Sequence, residues 1–228
     1  MNKVMKAVAA LMLIMIIAAG CKKEKVGQVY VDLGLPSGTL WATCNVGASV
    51  PEEYGDYFAW GETSTKAKYN WSNYKYCKNG YSRDLTKYCD NPEDGYRGFT
   101  DGLTELQLGD DAASVKWGSE WRIPSRSQWE ELYQNTTVTY TDLNGVSGLL
   151  FVANNGNSLF LPAAQSKLED EIEDPHSGTG RYWTSSLNTY SSGTAFRFTF
   201  HKNGSYAVSG LDSPRSRGQS IRPVRSAN

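Results

Sequence analysis

From Ala195 to His201 the side chains alternate, with Phe196, Phe198 and Phe200 on one face and Arg197, Thr199 and His201 on the other. A period of two belongs to a strand, and an aromatic face opposite a polar one predicts antiparallel pairing with one face on a core and the other wet. Lys202-Asn203-Gly204 follows at once and predicts a hairpin into residues 205–209. Upstream, residues 149–153 and 158–161 flank Asn154-Asn155-Gly156-Asn157, a second hairpin signal, and residues 220–224 read as a closing strand. Near the other end, residues 29–33 and 39–46 are apolar pieces separated by the turn cluster Gly34-Leu35-Pro36-Ser37-Gly38. Two short helices are expected. One is capped by Asp110 or Asp111 and runs through Trp117 to Gly118; the other is opened by Ser125 and Gln128 at capping-box spacing, with Trp129, Leu132 and Tyr133 on one side. The fold class expected is therefore α+β.

The first twenty residues stand apart. Lys3 and Lys6 precede an unbroken apolar run from Ala7 to Ala19, too short to span a bilayer core of ~30 Å comfortably and suited to a cleaved export signal. Ala18, Ala19 and Gly20 then lead into Cys21, a run that resembles a bacterial lipobox and implies acylation of that thiol. On this reading residues 1–20 are a signal peptide, 21–28 a lipidated tether and 29–225 one domain. Loss of Lys3 and Lys6 from 23 basic and 24 acidic residues leaves a net charge of about −3, which argues against a nucleic-acid partner. About 200 residues are enough for one well-buried domain.

From Gly61 to Gly109 the chain is polar, rich in Tyr, Asn, Lys and Asp, and without period. A segment of that length inside a compact domain is functional or pinned by a crosslink. Cys77 and Cys89, in an oxidising compartment, are placed to supply that crosslink, while Cys44 between apolar neighbours reads as a buried thiol. Asn91-Pro92-Glu93-Asp94 offers oxygen atoms in a loop, and the acidic run 169–174 reads as solvated. There is no Gly-x-Ser-x-Gly elbow and no Cys-x-x-Cys, and His176 and His201 are the only histidines. No catalytic set, metal centre or cofactor is expected.

Six ordered blocks carry a resemblance. They are Val31-Asp32-Leu33-Gly34-Leu35-Pro36-Ser37-Gly38-Thr39-Leu40-Trp41-Ala42, Tyr54-Gly55-Asp56-Tyr57-Phe58-Ala59-Trp60-Gly61-Glu62, Asp110-Asp111-Ala112-Ala113, Trp117-Gly118-Ser119-Glu120-Trp121-Arg122-Ile123-Pro124-Ser125, Tyr182-Trp183-Thr184-Ser185-Ser186 and Gly218-Gln219-Ser220-Ile221-Arg222-Pro223-Val224. Together they resemble the Fibrobacter succinogenes major paralogous domain, common in lipoproteins of gut Bacteroidetes, over nearly all of residues 29–225. The resemblance implies a C-type lectin-like fold, related in pattern to formylglycine-generating and sulfatase-modifying domains, in which Trp121, Arg122, Pro124 and Ser125 are structural. The oxidase activity of those relatives needs a cysteine pair near the C-terminus, and no cysteine follows Cys89.

The functional expectation is a non-catalytic binding or adhesion module for glycan or protein partners, lipid-anchored in the outer membrane and facing the cell surface. The alternative is a structural envelope or fimbria-associated subunit. Polar and aromatic residues outside the blocks and on the outward strand face are the candidate ligand contacts: Tyr190, Arg197, His201, Tyr206 and Arg215.

Overall fold

The computed structural model describes residues 21–23, 29–203, 205–207 and 212–227. Its architecture is α+β, with mostly antiparallel strands in several small sheets and two α-helices. The strands are β1 (Cys21–Lys23), β2 (Val29–Asp32), β3 (Thr39–Ala42), β4 (Thr136–Leu143), β5 (Val146–Ala153), β6 (Ser158–Pro162), β7 (Lys167–Leu168), β8 (Glu171–Ile172), β9 (Gly180–Leu187), β10 (Thr194–Phe200), β11 (Tyr206–Ala207), β12 (Asp212–Pro214) and β13 (Val224–Ser226). Helices α1 (Ala112–Trp117) and α2 (Arg126–Gln134) lie between β3 and β4. Strands β1, β2, β3 and β13 form one sheet in that order, β4, β5 and β6 a second, and β7 and β8 a ribbon. The fourth sheet is built on β10, which pairs with β9 along one edge and with β11 and β12 along the other.

Local chemistry explains the helix ends. Asp111 caps α1 by accepting from Ser114 N at 3.0 Å, and Gly118, at φ +110°, ends it. In α2, Ser125 Oγ accepts from Gln128 N while Gln128 Oε1 accepts from Ser125 N, which satisfies two donors at the helix start. Trp121 is fully buried; Arg122 donates to Ser114 Oγ and to the Trp121 carbonyl, and the Pro124 carbonyl accepts from Ser185 N. The closing strand starts later than expected, at Val224, because Pro223 has no N–H for a ladder. Residues 218–220 instead make isolated bridges to Lys167, Phe58 and Tyr182. β4 carries no strand signal in its sequence, which is polar at most positions; it pairs with β5 along its whole length.

Cys21 lies opposite Val31 in the β1–β2 pair, so the first residues of the expected tether run along the domain's own sheet. The signal segment 1–20 and residues 24–28 lie outside the described residues.

Two aromatic clusters fill the interior, with β9 and β10 between them. Trp183, Leu187 and Ala195 pack into one, and Tyr182, Phe198 and Phe200 into the other. In the second, Trp129 stacks on Phe198 at 4.6 Å and meets Trp41 edge-on at 4.7 Å. The odd-numbered face of β10 is therefore not the wet face the alternation predicts. Thr199 is buried and Arg197 half-buried, because segments distant in sequence close over that side. Trp183 Nε1 donates to the Phe58 carbonyl at 2.7 Å, Trp60 Nε1 to the Thr184 carbonyl at 2.8 Å, and Arg181 Nη1 to Ser166 Oγ at 2.9 Å.

The expected disulfide is not formed. Cys77 Sγ donates to the Tyr81 carbonyl and Cys89 Sγ to the Asn91 carbonyl, so the two thiols are committed to different partners. Two charged side chains pin the irregular segment instead. Asp110 accepts from Tyr88 Oη at 2.7 Å, Lys87 Nζ at 2.6 Å, Lys75 Nζ at 3.2 Å and Tyr76 Oη. Arg215 reaches the same segment from the C-terminal side, donating to Tyr74 Oη and to the carbonyls of Lys87 and Tyr88.

Candidate functional site

The five candidate contacts do not converge. Arg215 is fully buried and is corrected to a structural role: its guanidinium is spent on Tyr74 Oη and on the carbonyls of Tyr88, Ser192 and Lys87, and it lies 4.9 Å from the Trp60 ring centroid. Tyr206 lies opposite Phe200 in β11, on the even-numbered face, where its ring stacks on Tyr133. Arg197 belongs to the odd-numbered face, so no single ligand surface holds both. His201, exposed just past β10, lies 3.2 Å from Thr179 Oγ1 through Nδ1. Tyr190 stands out of the 188–193 loop with 92% of its surface exposed.

Around Tyr190 the surface is concave. Two adjoining cavities of about 350 and 380 Å³ share Arg126 and Phe196 and form one groove between the start of α2 and the end of β9. The groove follows from local sequence. The capping box sets the first turn of α2, Arg126 N donates to Ser186 Oγ, and the Arg126 guanidinium lies 4.7 Å over the Phe196 ring. Glu130, one turn on, holds Arg126 Nε at 3.0 Å. At the other end, Asn188 Nδ2 donates to Asp212 Oδ2 at 2.8 Å and to Thr194 Oγ1, while Asn188 Oδ1 accepts from Tyr190 N. Glu105, itself exposed, lines the groove and accepts from the hydroxyls of Ser185 and Ser186 at 2.7 and 2.5 Å.

Comparison of the chain with family models, with curated proteins and with solved structures finds no match. The groove's chemistry therefore has to speak from its own residues. It offers two aromatic rings, one cation and several amide, hydroxyl and carboxylate groups already oriented by neighbours. That is a lining for a polar ligand with apolar patches, as on a sugar ring. Among the described residues no group of three His, Cys, Asp or Glu side chains is placed to hold a metal ion. Asp94, in the loop with oxygen atoms to offer, is nearly buried and accepts from Ser192 N at 2.8 Å.

Sequence reasoning reached Tyr190 but not Arg126, Asn188, Phe196 or Asp212 as its neighbours. The alternation places Phe196 on the core face with Phe198 and Phe200. A shift in the β9–β10 register between Ala195 and Arg197 sets it at the margin, where it is half-buried under Arg126. A break of pairing register leaves no mark in the alternation itself.

Proposed function

We propose that this chain is a non-catalytic recognition module, anchored in the outer membrane by acylation of Cys21, which faces the cell surface and binds glycans through the Arg126–Tyr190 groove. The observation that carries the reading is Tyr190: an aromatic ring 92% exposed at the rim of a polar groove. A ring held clear of the core beside a polar groove is placed to stack on the C–H face of a sugar. The ordered sequence blocks and the antiparallel α+β architecture support a C-type lectin-like scaffold of the major paralogous type.

Screening the purified chain on a glycan array is the test. Tyr190→Ala is expected to weaken the best ligand at least about tenfold, as for an exposed aromatic anchor, and to leave the melting temperature unchanged. If no glycan binds and the one stable partner is another envelope protein, the structural-subunit reading replaces this one.

The anchor has its own test. Cys21→Ser is expected to move the chain from the membrane to the soluble fraction, and protease added to intact cells is expected to degrade the wild type. Because Cys21 pairs with β2, the acyl group would hold the domain close to the bilayer. Membrane association unchanged by Cys21→Ser would rule the anchor out.

A further inference from the structure

The loop that carries Tyr190 also lines a further cavity, of about 240 Å³. Ser191 and Gly193 of that loop form one wall, and the irregular segment supplies the other as Trp71, Ser82, Arg83 and Asp94. The two walls meet closely: a Cβ on Gly193 would stand 3.1 Å from the Ser82 carbonyl oxygen.

Local bonds place the groups that face this space. Trp71 opens one turn of 3₁₀ helix, Trp71–Asn73, and meets Tyr74 edge-on at 5.3 Å. Tyr74 is in turn held by Arg215, so the half-buried Trp71 ring is braced from behind. Asp94 is only 9% exposed; its Oδ2 accepts from Ser192 N at 2.8 Å, and its Oδ1 has no partner among the described residues. Arg83 is exposed on the turn closed by Asp84 N and the Tyr81 carbonyl, and its guanidinium makes no ion pair among the described residues.

That set of groups selects a ligand chemistry. One carboxylate and one guanidinium cancel in charge, so the cavity favours neither an anion nor a cation. Both act on hydroxyls: Asp94 Oδ1 accepts from one, and Arg83 donates to the oxygen of another. The hydroxyls of Ser82 and Ser191 can do either, and the Trp71 ring offers an apolar wall for C–H groups. A neutral hydroxylated ring answers all of these.

The cavity adjoins the groove. Asn188, which lines the groove, donates through Nδ2 to Thr194 Oγ1, which lines the cavity, at 3.1 Å. Asp212 of the groove and Pro214 of the cavity both belong to β12, at a separation of about 7 Å along an extended strand.

We propose that the Trp71–Asp94 cavity is a second sugar subsite, and that the chain binds a neutral oligosaccharide laid across the Tyr190 loop from groove to cavity. The length of that ligand rests on the groove reading; the cavity's own sugar does not.

Titration calorimetry of the purified chain with unbranched gluco-, manno- and xylo-oligosaccharides, from disaccharide to hexasaccharide, tests it. At least one series is expected to bind saturably and to tighten by about tenfold or more with length, as the second subsite fills. Arg83→Ala is expected to abolish that gain and to keep the melting temperature, since the guanidinium is bonded to nothing in the fold. Trp71→Ala is expected to do the same to binding. Should it fail to fold, Ser82→Trp, which fills the cavity from an exposed position, takes its place. Tyr190→Ala is expected to weaken the hexasaccharide by a separate step. If the hexasaccharide binds wild type and folded cavity variants alike, the proposal is overturned and the groove stands. If Arg83→Ala weakens it and Tyr190→Ala does not, the cavity's sugar stands, while the groove and the spanning ligand fall. Absence of saturable binding in all three series overturns both.

Discussion

Arg215→Ala is expected to lower the stability of the fold by about 4 kcal/mol, read as a drop in the urea midpoint. Arg215 is a fully buried cation with no carboxylate in contact among the described residues, compensated by the Tyr74 hydroxyl, by the carbonyls of Tyr88, Ser192 and Lys87, and by the faces of Trp60, Tyr74 and Tyr88. Two effects oppose each other in the variant. Removing the charge relieves its desolvation penalty, which is favourable. Against that, four acceptors stay buried with no donor, at roughly 1–3 kcal/mol each before relaxation, and the aromatic rings lose the plane they pack on. The second effect wins because three of the four acceptors are backbone carbonyls and the fourth is the hydroxyl of the buried Tyr74, none of which can turn to solvent. Arg215→Lys is expected to recover little: an ammonium keeps the charge but lacks the planar fork that reaches the adjacent Lys87 and Tyr88 carbonyls and the Ser192 carbonyl together. Full stability in Arg215→Ala would mean that the guanidinium is not what ties 74–88 to the C-terminal strands.

The elements that were legible in the sequence are those whose signal is local. The α2 capping box joins residues three apart, and the Asn154–Asn157 turn lies between two strands that pair with each other. The β10 alternation also holds past the register shift, with Phe198 and Phe200 in the core. What failed was the assumption that the opposite face of that strand is wet. Its cover comes from Phe58, Trp60, Ser166 and Glu173, all distant in sequence. The same blindness affected Arg215. In Ser213-Pro214-Arg215-Ser216-Arg217-Gly218 the two arginines look alike, yet Arg215 is sealed among aromatics while Arg217 reaches the surface. Composition cannot separate them, because burial is decided by tyrosines more than a hundred residues earlier. Cys77 and Cys89 misled for a related reason: spacing permits a crosslink, but the segment was already held by Asp110 and Arg215.

Asp110→Asn is expected to cost about 3 kcal/mol at neutral pH and to change how stability depends on acid. The Asp110 carboxylate takes Tyr76 and Lys75 on Oδ1 and Tyr88 and Lys87 on Oδ2. Asparagine keeps the shape but turns one of those oxygens into a donor, set against a phenol and an ammonium that also donate. The lysines can swing outward, as Lys75 is 52% exposed; the buried phenols of Tyr76 and Tyr88 cannot. Burial pushes the Asp110 carboxyl upward, and the bonds from Lys87, Tyr76, Tyr88 and Lys75 overcome that and hold it well below the usual carboxylate range. The unfolded chain, titrating near ~3.9, therefore takes this proton first as pH falls. The carboxylate's contribution is complete above about pH 4 and is lost progressively below it. Asp111, pushed up by burial, and Glu173, held down by Ser166 and Arg217 against its own burial, titrate in both proteins. Subtracting one pH profile from the other leaves Asp110 alone. The gap between wild type and variant should be constant from about pH 7 to 5 and narrow from about pH 4 towards 2. In native-state hydrogen exchange the extra opening should concentrate in residues 75–88, which the carboxylate holds. A gap that stays the same down to pH 2 would show that the amide donor set against the phenols and ammoniums, not the lost charge, is what costs the stability.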